Sequence, residues 1–410
     1  MEKYLSEIKE IEPDEILKSI SEYNADPSDK KVNLSIGVCA GNNGKVQIFN
    51  SVLKAEQIIT EKYEEKPYLL SNGGDTFSLL TQKLIFGEDS EYIKEKRIST
   101  IQTIGGTGAI AITLEFLKCF NMSDPSIYVT NIPYINHVNM IKSNGFNLKY
   151  INFFDYNLID INYNLFLNDL KNIDNESIIF LQPSCYNPCS ININSEYFEE
   201  IINIVLLKKH IIVFDVAYQG FGNGEMDNDV TLIRQFQKKN IPFIVCQSFA
   251  KNMSLYGERA GALHIVCKNE NEKKKILSSL LIITRRFYSS PTVHTNRLVC
   301  EMLGNTNLKT EWLNELKQLA HHIANIRNLF FDKLQQTQNK YNLNHDWSVY
   351  KKQVGLFSYV PIFSDIFQSL KKHHIYIVKT GRINVSGITM NNIDYITETI
   401  CLCLSEQGAN

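Results

Sequence analysis

The 410-residue chain lacks an excess of charge of either sign, any apolar run long enough to cross a bilayer, and any cysteine pair spaced C-x-x-C. Each absence excludes something. With a formal net charge of −2 there is no broadly basic surface to displace the counterions of a nucleic acid, so nucleic-acid binding is not expected. The apolar runs 201–207 and 276–284 are cut by Lys208-Lys209 and Arg285-Arg286, well short of the roughly 20 residues of a membrane helix. The nine cysteines are scattered and odd in number, which reads as reduced thiols rather than a disulfide scaffold. Residues 1–14 carry Lys and Glu but neither an apolar stretch nor an Arg, so neither a secretory signal nor a mitochondrial presequence is expected. Together these readings predict a cytoplasmic protein. The histidines share no spacing with Cys or Asp that would suit a metal, and no metal is expected.

What is present is enough apolar residue for large cores: 44% hydrophobic against 21% charged, in a chain long enough for two or three domains. Short β-branched or aromatic runs at 98–104, 126–130, 177–181, 210–214, 242–247 and 261–267 read as strands. Helical patterns lie between several of them, at 109–120, 196–208 and 231–238. Such alternation predicts an α/β fold with a largely parallel sheet covered on both faces. Sites in such sheets lie beyond the carboxyl ends of the strands. The last ~90 residues are mainly helical in pattern (311–335, 364–372 and 392–404), with strand-like pieces at 356–360 and 374–378. They read as a second, smaller α/β domain, which the polar first ~40 residues join as an arm.

Four stretches hold candidate chemistry. Ile104-Gly105-Gly106-Thr107-Gly108-Ala109 places a glycine-rich turn between strand and helix, the geometry that binds phosphate on free N–H groups, although such a turn alone is common. Asp215 ends an apolar strand, with Tyr218 three residues on; a carboxylate there needs a cation or hydrogen-bond donors. Lys251 follows another strand, with Arg259 downstream; a desolvated lysine amine becomes a nucleophile. Arg382, framed by Gly381 and Gly387, suits bidentate capture of a carboxylate. A phosphate cradle, a strand-end acid, a strand-end lysine and a carboxylate-binding arginine are together what pyridoxal phosphate (PLP) requires.

With these residues in hand the sequence resembles the aspartate aminotransferases, the class I branch of the type I PLP-dependent aminotransferases. The likeness runs from about Glu12 to Leu404. It rests on residues 31–38, Gly105-Gly106-Thr107-Gly108, Asn136-His137, Asn187-Pro188, 215–221, Ser248-Phe249-Ala250-Lys251-Asn252, Glu258-Arg259-Ala260-Gly261, Ser289-Ser290-Pro291 and 381–387. The resemblance implies a type I fold: a large domain (42–318) with a mostly parallel seven-stranded sheet, a small domain (319–410), and an arm (1–41) that shares in the small one. It implies that Lys251 carries PLP as a Schiff base and shuttles a proton, that Asp215 pairs with the pyridine nitrogen, and that His137 supports Asp215. Tyr218 and Asn187 would bind the phenolic oxygen of PLP. Gly105, Gly106, Thr107, Ser248 and Arg259 would hold the phosphate, with Tyr68 arriving from the neighbouring subunit of a homodimer. Tyr68 thereby joins Lys251, Asp215 and Tyr218 in the implied catalytic set.

For the substrate, the resemblance implies that Arg382 binds the α-carboxylate, with Gly37, Tyr134 and Asn187 close by, and that Arg285 crosses the interface to bind the distal carboxylate. The implied reaction moves an amino group between L-aspartate and 2-oxoglutarate, giving oxaloacetate and L-glutamate, by a ping-pong route. Several positions depart from the pattern. Tyr134 stands in place of the ring-stacking Trp, Gln182 in place of a His, Cys39-Ala40 in place of Tyr-Arg, and Cys189-Ser190 in place of Thr-Gly. These changes leave room for a broader or aromatic amino-acid aminotransferase. A catalytically silent homologue is the remaining reading, and the presence of Lys251, Asp215, Tyr218 and Arg382 speaks against it.

Overall fold

A computed structural model describes residues 1–10, 14–41, 46–120 and 126–408. Seven strands make the large sheet: β1 (Ile98–Ile104), β2 (Ser126–Thr130), β3 (Asn147–Ile151), β4 (Ile178–Leu181), β5 (Ile211–Val216), β6 (Ile244–Ser248) and β7 (Ala260–Val266). Their order across the sheet is β1-β7-β6-β5-β4-β2-β3. Every neighbouring pair is parallel except the two that β7 makes. The fold is thus the expected α/β class with a mostly parallel seven-stranded sheet.

The apolar runs of the central strands follow from burial on both faces. Along β5, Ile212, Phe214 and Val216 enter one core with Phe166, Phe236 and Phe243. Val213, pointing to the opposite face, joins Ile101, Ile127 and Leu263. That alternation is the two-residue period of a strand read on a sheet covered twice. The edge strand β3 was not anticipated. Its sequence Asn147-Leu-Lys-Tyr-Ile leaves Asn147 and Tyr150 exposed, as an edge with one solvated flank allows.

The helix predicted at 109–120 instead spans Gly105–Leu117, so the glycine turn is itself the first helical turn. A third core gathers around the 32-residue helix Thr306–Thr337, which buries Trp312, Leu316, Ile323, Phe330 and Phe331 against the last helix, Ile393–Gly408. Both chain ends meet there. Val32–Asn33 pairs in parallel with Ile375–Tyr376, and Phe357–Tyr359 pairs antiparallel with Arg382–Asn384. The N-terminal segment is not a featureless arm, because it forms the helix Glu15–Ala25. Asp14 caps that helix, its Oδ1 accepting from the Ile16 N–H at 2.9 Å.

Candidate active site

Because β1, β2, β4, β5 and β6 run the same way, their carboxyl ends share one edge of the sheet, and antiparallel β7 begins at that edge. Ala260 lies opposite Ile104, and Gly261 opposite Ser248. Topology alone therefore brings Gly105, His137, Gln182, Asp215, Lys251 and Arg259 together, and strand-to-strand hydrogen bonding fixes their spacing.

The anion cradle lies where β1 and β7 meet. Gly105 has φ +78°, a backbone that side-chain-bearing residues rarely adopt. A Cβ built there would lie 2.6 Å from Arg259 Nη2, and one on Gly106 would lie 3.1 Å from Ser248 Cβ. Glycine at these two positions lets a guanidinium and a hydroxyl close on the start of the helix Gly105–Leu117. That start offers free N–H groups and the positive end of the helix dipole. Thr107 is exposed in its first turn. Arg259 Nη1 donates to the Tyr256 carbonyl at 3.1 Å. The donor set fits a phosphate.

Next to the cradle, His137 Nε2 lies 2.9 Å from Asp215 Oδ2, and both residues are buried. The Tyr134 ring stands edge-on to His137, centroids 5.1 Å apart at 82°. Asn187 Nδ2 donates to the Tyr218 hydroxyl at 3.3 Å, while Asn187 Oδ1 accepts from Arg382 Nη1, also at 3.3 Å. Arg382 Nη2 donates to the Ser35 carbonyl at 2.7 Å. Its guanidinium lies 4.1 Å from the centroid of the Phe357 ring. Gly37 faces the same ring, and a Cβ there would lie 3.3 Å from Phe357 Cζ. Arg382 is only 5% exposed, and its Nε has no hydrogen-bond partner. A buried cation with hydrogen-bonding capacity to spare is costly until an anion meets it. Arg382 lines a cavity of about 440 Å³ together with Tyr134, Asn187, Tyr156, Tyr359 and Asp14.

Lys251 Nζ lies 4.7 Å from the Tyr218 ring centroid. The residue is partly exposed, yet the atoms packed around its amine push its pKa below the ordinary 10.5. Desolvation is the main cause. The attraction of Asp215 opposes it, and the charges of Arg382 and Arg259 reinforce it. Burial also lowers Arg382 and raises the phenols of Tyr218 and Tyr134. Cys39 is pushed up to about 12 by burial, and its backbone N–H donates to the Tyr256 hydroxyl at 2.9 Å.

Two anticipated residues lie apart. Tyr68 is 95% exposed, and Arg285 is exposed on the helix Glu270–Phe287. Conversely, Asp14, Tyr156, Tyr359 and the Phe357 ring under Arg382 were not singled out in the sequence. No local pattern marks them, because distant chain segments deliver them.

An amine held ready for a carbonyl, beside a cradle for a phosphate, matches the demands of one cofactor class, and the strand order is that of the fold which carries it. A model of the aminotransferase class I and II family matches residues 29–400, and the chain belongs to that PLP-dependent family. It resembles the solved aspartate aminotransferase of Plasmodium falciparum at 63% identity and a TM-score of 0.97, over 99% of this chain and 100% of that one. It is also 32% identical over 389 residues to the mitochondrial aspartate aminotransferase of Gallus gallus, covering 95% of this chain and 91% of the relative. An aromatic-amino-acid aminotransferase from Burkholderia pseudomallei, solved covalently bound to pyridoxal phosphate, is 30% identical with a TM-score of 0.93, over 97% of this chain and 99% of that one. Within the family the likeness is therefore greatest, among these three, to an aspartate aminotransferase.

The lowered pKa of Lys251 has a consequence for stability. The unfolded chain binds a proton at this amine up to its ordinary pKa of 10.5, whereas the folded chain releases it at lower pH. The burden on the folded state is thus full at low pH and fades as pH rises toward 10.5. In cofactor-free protein, Lys251→Met should raise the thermal midpoint at neutral pH, with the gain shrinking as pH rises. Differential scanning calorimetry across pH measures this, and an equal or lower midpoint for the variant contradicts it.

Proposed function

We propose that the chain is a homodimeric, PLP-dependent aminotransferase that moves the amino group of L-aspartate to 2-oxoglutarate. The observation that carries this reading is the buried Arg382. Asn187 and Ser35 hold its guanidinium at the wall of the cavity, and it stands ready for a substrate α-carboxylate. The cradle of Gly105, Gly106, Thr107, Ser248 and Arg259 accepts the cofactor phosphate. Tyr218 and Asn187 bind the phenolic oxygen, and Asp215, backed by His137, meets the ring nitrogen. Bound PLP supplies an electron sink that makes the substrate Cα proton acidic. Lys251 Nζ, once released, would take that proton as a general base and return it to the carbon on the far side of the linking nitrogen. Its lowered pKa makes the neutral amine more abundant at a given pH than in an ordinary lysine.

Arg285 selects the distal carboxylate of the partner subunit's substrate, and Tyr68 reaches the partner's phosphate. The exposure of Tyr68, Leu70 (73%), Ile282 (64%) and Phe287 (50%) leaves apolar side chains that a second copy could cover. We divide the chain into an arm (1–41), a cofactor domain (42–318) and a small domain (319–410). The parallel pairing of Val32–Asn33 with Ile375–Tyr376 supports joining the arm to the last of these. Among the described residues no helix is long and apolar enough to cross a membrane. Relatives are named from both mitochondrion and cytoplasm; the cytoplasm is our proposal here, and nine unpaired cysteines support a reducing compartment.

A second reading, aromatic amino acids as additional substrates, is favoured by one observation. The cavity wall carries Tyr134, Tyr156 and Tyr359 beside Pro188 and Val378, an apolar surface on which an aromatic side chain can stack.

Purified protein given PLP should show the visible absorption of the bound cofactor, and Lys251→Ala should lose it; no absorption in the wild type contradicts the proposal. Arg285→Ala should lower kcat/KM for aspartate by roughly thirtyfold or more, as loss of a desolvated charge partner does, and leave phenylalanine far less affected. Unchanged aspartate turnover would remove Arg285 from substrate selection.

A further inference from the structure

We propose that Gln182 is a positioning residue of this active site: it holds Asn187 so that one side-chain amide serves Tyr218 and Arg382 together. This rests on the reading of Asn187, Tyr218 and Arg382 as cofactor and substrate groups.

Gln182 is the first residue past β4 and is 2% exposed. Its Oε1 accepts from the Asn187 N–H at 2.9 Å, and its Nε2 donates to the Asn187 carbonyl at 3.0 Å. One side chain thus occupies both backbone polar groups of one residue, as a neighbouring strand would. Asn187 is 5% exposed and lies beyond the last paired residue of β4. Its backbone groups need partners, and the sheet no longer provides them. Gln182 does, closing the loop between the two residues.

What the closed loop presents is fixed in orientation. The Asn187 side chain spends its donor on Tyr218 and its acceptor on Arg382. Turned over, it would set an NH₂ against a guanidinium, donor against donor. Arg382 therefore fixes which way the amide faces, and Gln182 fixes where it stands. The side chain at 182 must offer one donor and one acceptor at peptide-like spacing. An ionised carboxylate offers acceptors only and would repel the Asn187 carbonyl. A protonated carboxyl group offers both and can stand in for the amide.

The prediction uses the full-length protein loaded with PLP. Its readouts are the pH titration of the bound cofactor's absorption, KM and kcat for aspartate, and the thermal midpoint. Gln182→Ala should shift the midpoint of the spectral titration, because Tyr218 and Asn187 lose their set distance from the phenolic oxygen. It should also raise KM for aspartate about tenfold, the scale of one buried hydrogen bond, with a smaller change in kcat. Gln182→Glu should match the wild type at pH low enough to keep its carboxyl protonated, then lose affinity for aspartate as that group ionises. In an Asn187→Ala background, Gln182→Ala should add less than about twofold, since both act through one group.

Three results overturn the proposal. One is an unshifted spectral titration and unchanged KM in a folded Gln182→Ala variant. Another is a Gln182→Glu protein whose KM follows the wild-type pH profile throughout. The third is full additivity with Asn187→Ala. Should Gln182→Ala not fold, the Glu variant still decides, since its KM profile across pH is read against that of the wild type. Failure of the underlying functional reading looks different: the wild type itself would show no cofactor absorption.

Discussion

Keeping one lysine amine out of water is the constraint on which the rest of the site depends. An ammonium group in a poorly solvated pocket is unfavourable, so the pocket favours the neutral amine. Two nearby guanidiniums push the same way, and Asp215 pushes against them. Asp215, however, is held 2.9 Å from His137 rather than paired to the amine. The balance lowers the amine pKa below the ordinary 10.5, and the fold bears a stability cost for it. The low net charge of the chain conceals this arrangement, because charges of both signs are concentrated where they oppose one another.

The groups around the amine reach far into the fold. Asn187 links Tyr218 to Arg382, and Arg382 rests on Phe357. The strand of Phe357 is held from beneath by Arg327, which donates to the Phe357 carbonyl at 3.0 Å and to Ser358 Oγ at 3.2 Å. Burial lowers the Arg327 pKa to about 10. On the other side, Asp229 accepts from the Gly220 and Gly222 N–H groups at 2.7 and 3.1 Å, fixing the turn after Tyr218. Arg382, Asn187, Tyr218 and the chain's two ends are thus joined through one set of contacts.

How legible this was depended on where each residue draws its role. Lys251, Asp215 and the Gly105 turn were readable because strand ends and glycine turns have local signatures, and parallel topology puts strand ends on one edge. The central strands were readable because burial on both faces forces apolar runs. The edge strand β3 was not, since a strand with one solvated flank reads as ordinary polar chain. The helix Glu15–Ala25 was hidden in a polar stretch whose partners lie more than 300 residues away, as with Asp26 and Tyr376. The contribution of Gln182 was invisible for a similar reason. A substituted position can be spotted in sequence, but the paired hydrogen bonds to Asn187 exist only once the loop has closed. Tyr68 and Arg285 were named from resemblance alone, and both are exposed on this chain.

The central claim is that burial leaves the Lys251 amine neutral at a pH where an ordinary lysine is charged. The most direct measurement is the pH dependence of the rate at which cofactor-free protein captures pyridoxal phosphate, followed by absorbance, with Lys251→Ala as the blank. Capture should rise through a midpoint clearly below the ordinary 10.5. A midpoint at or above that value would mean that the attraction of Asp215 outweighs desolvation, and would contradict this account of the site.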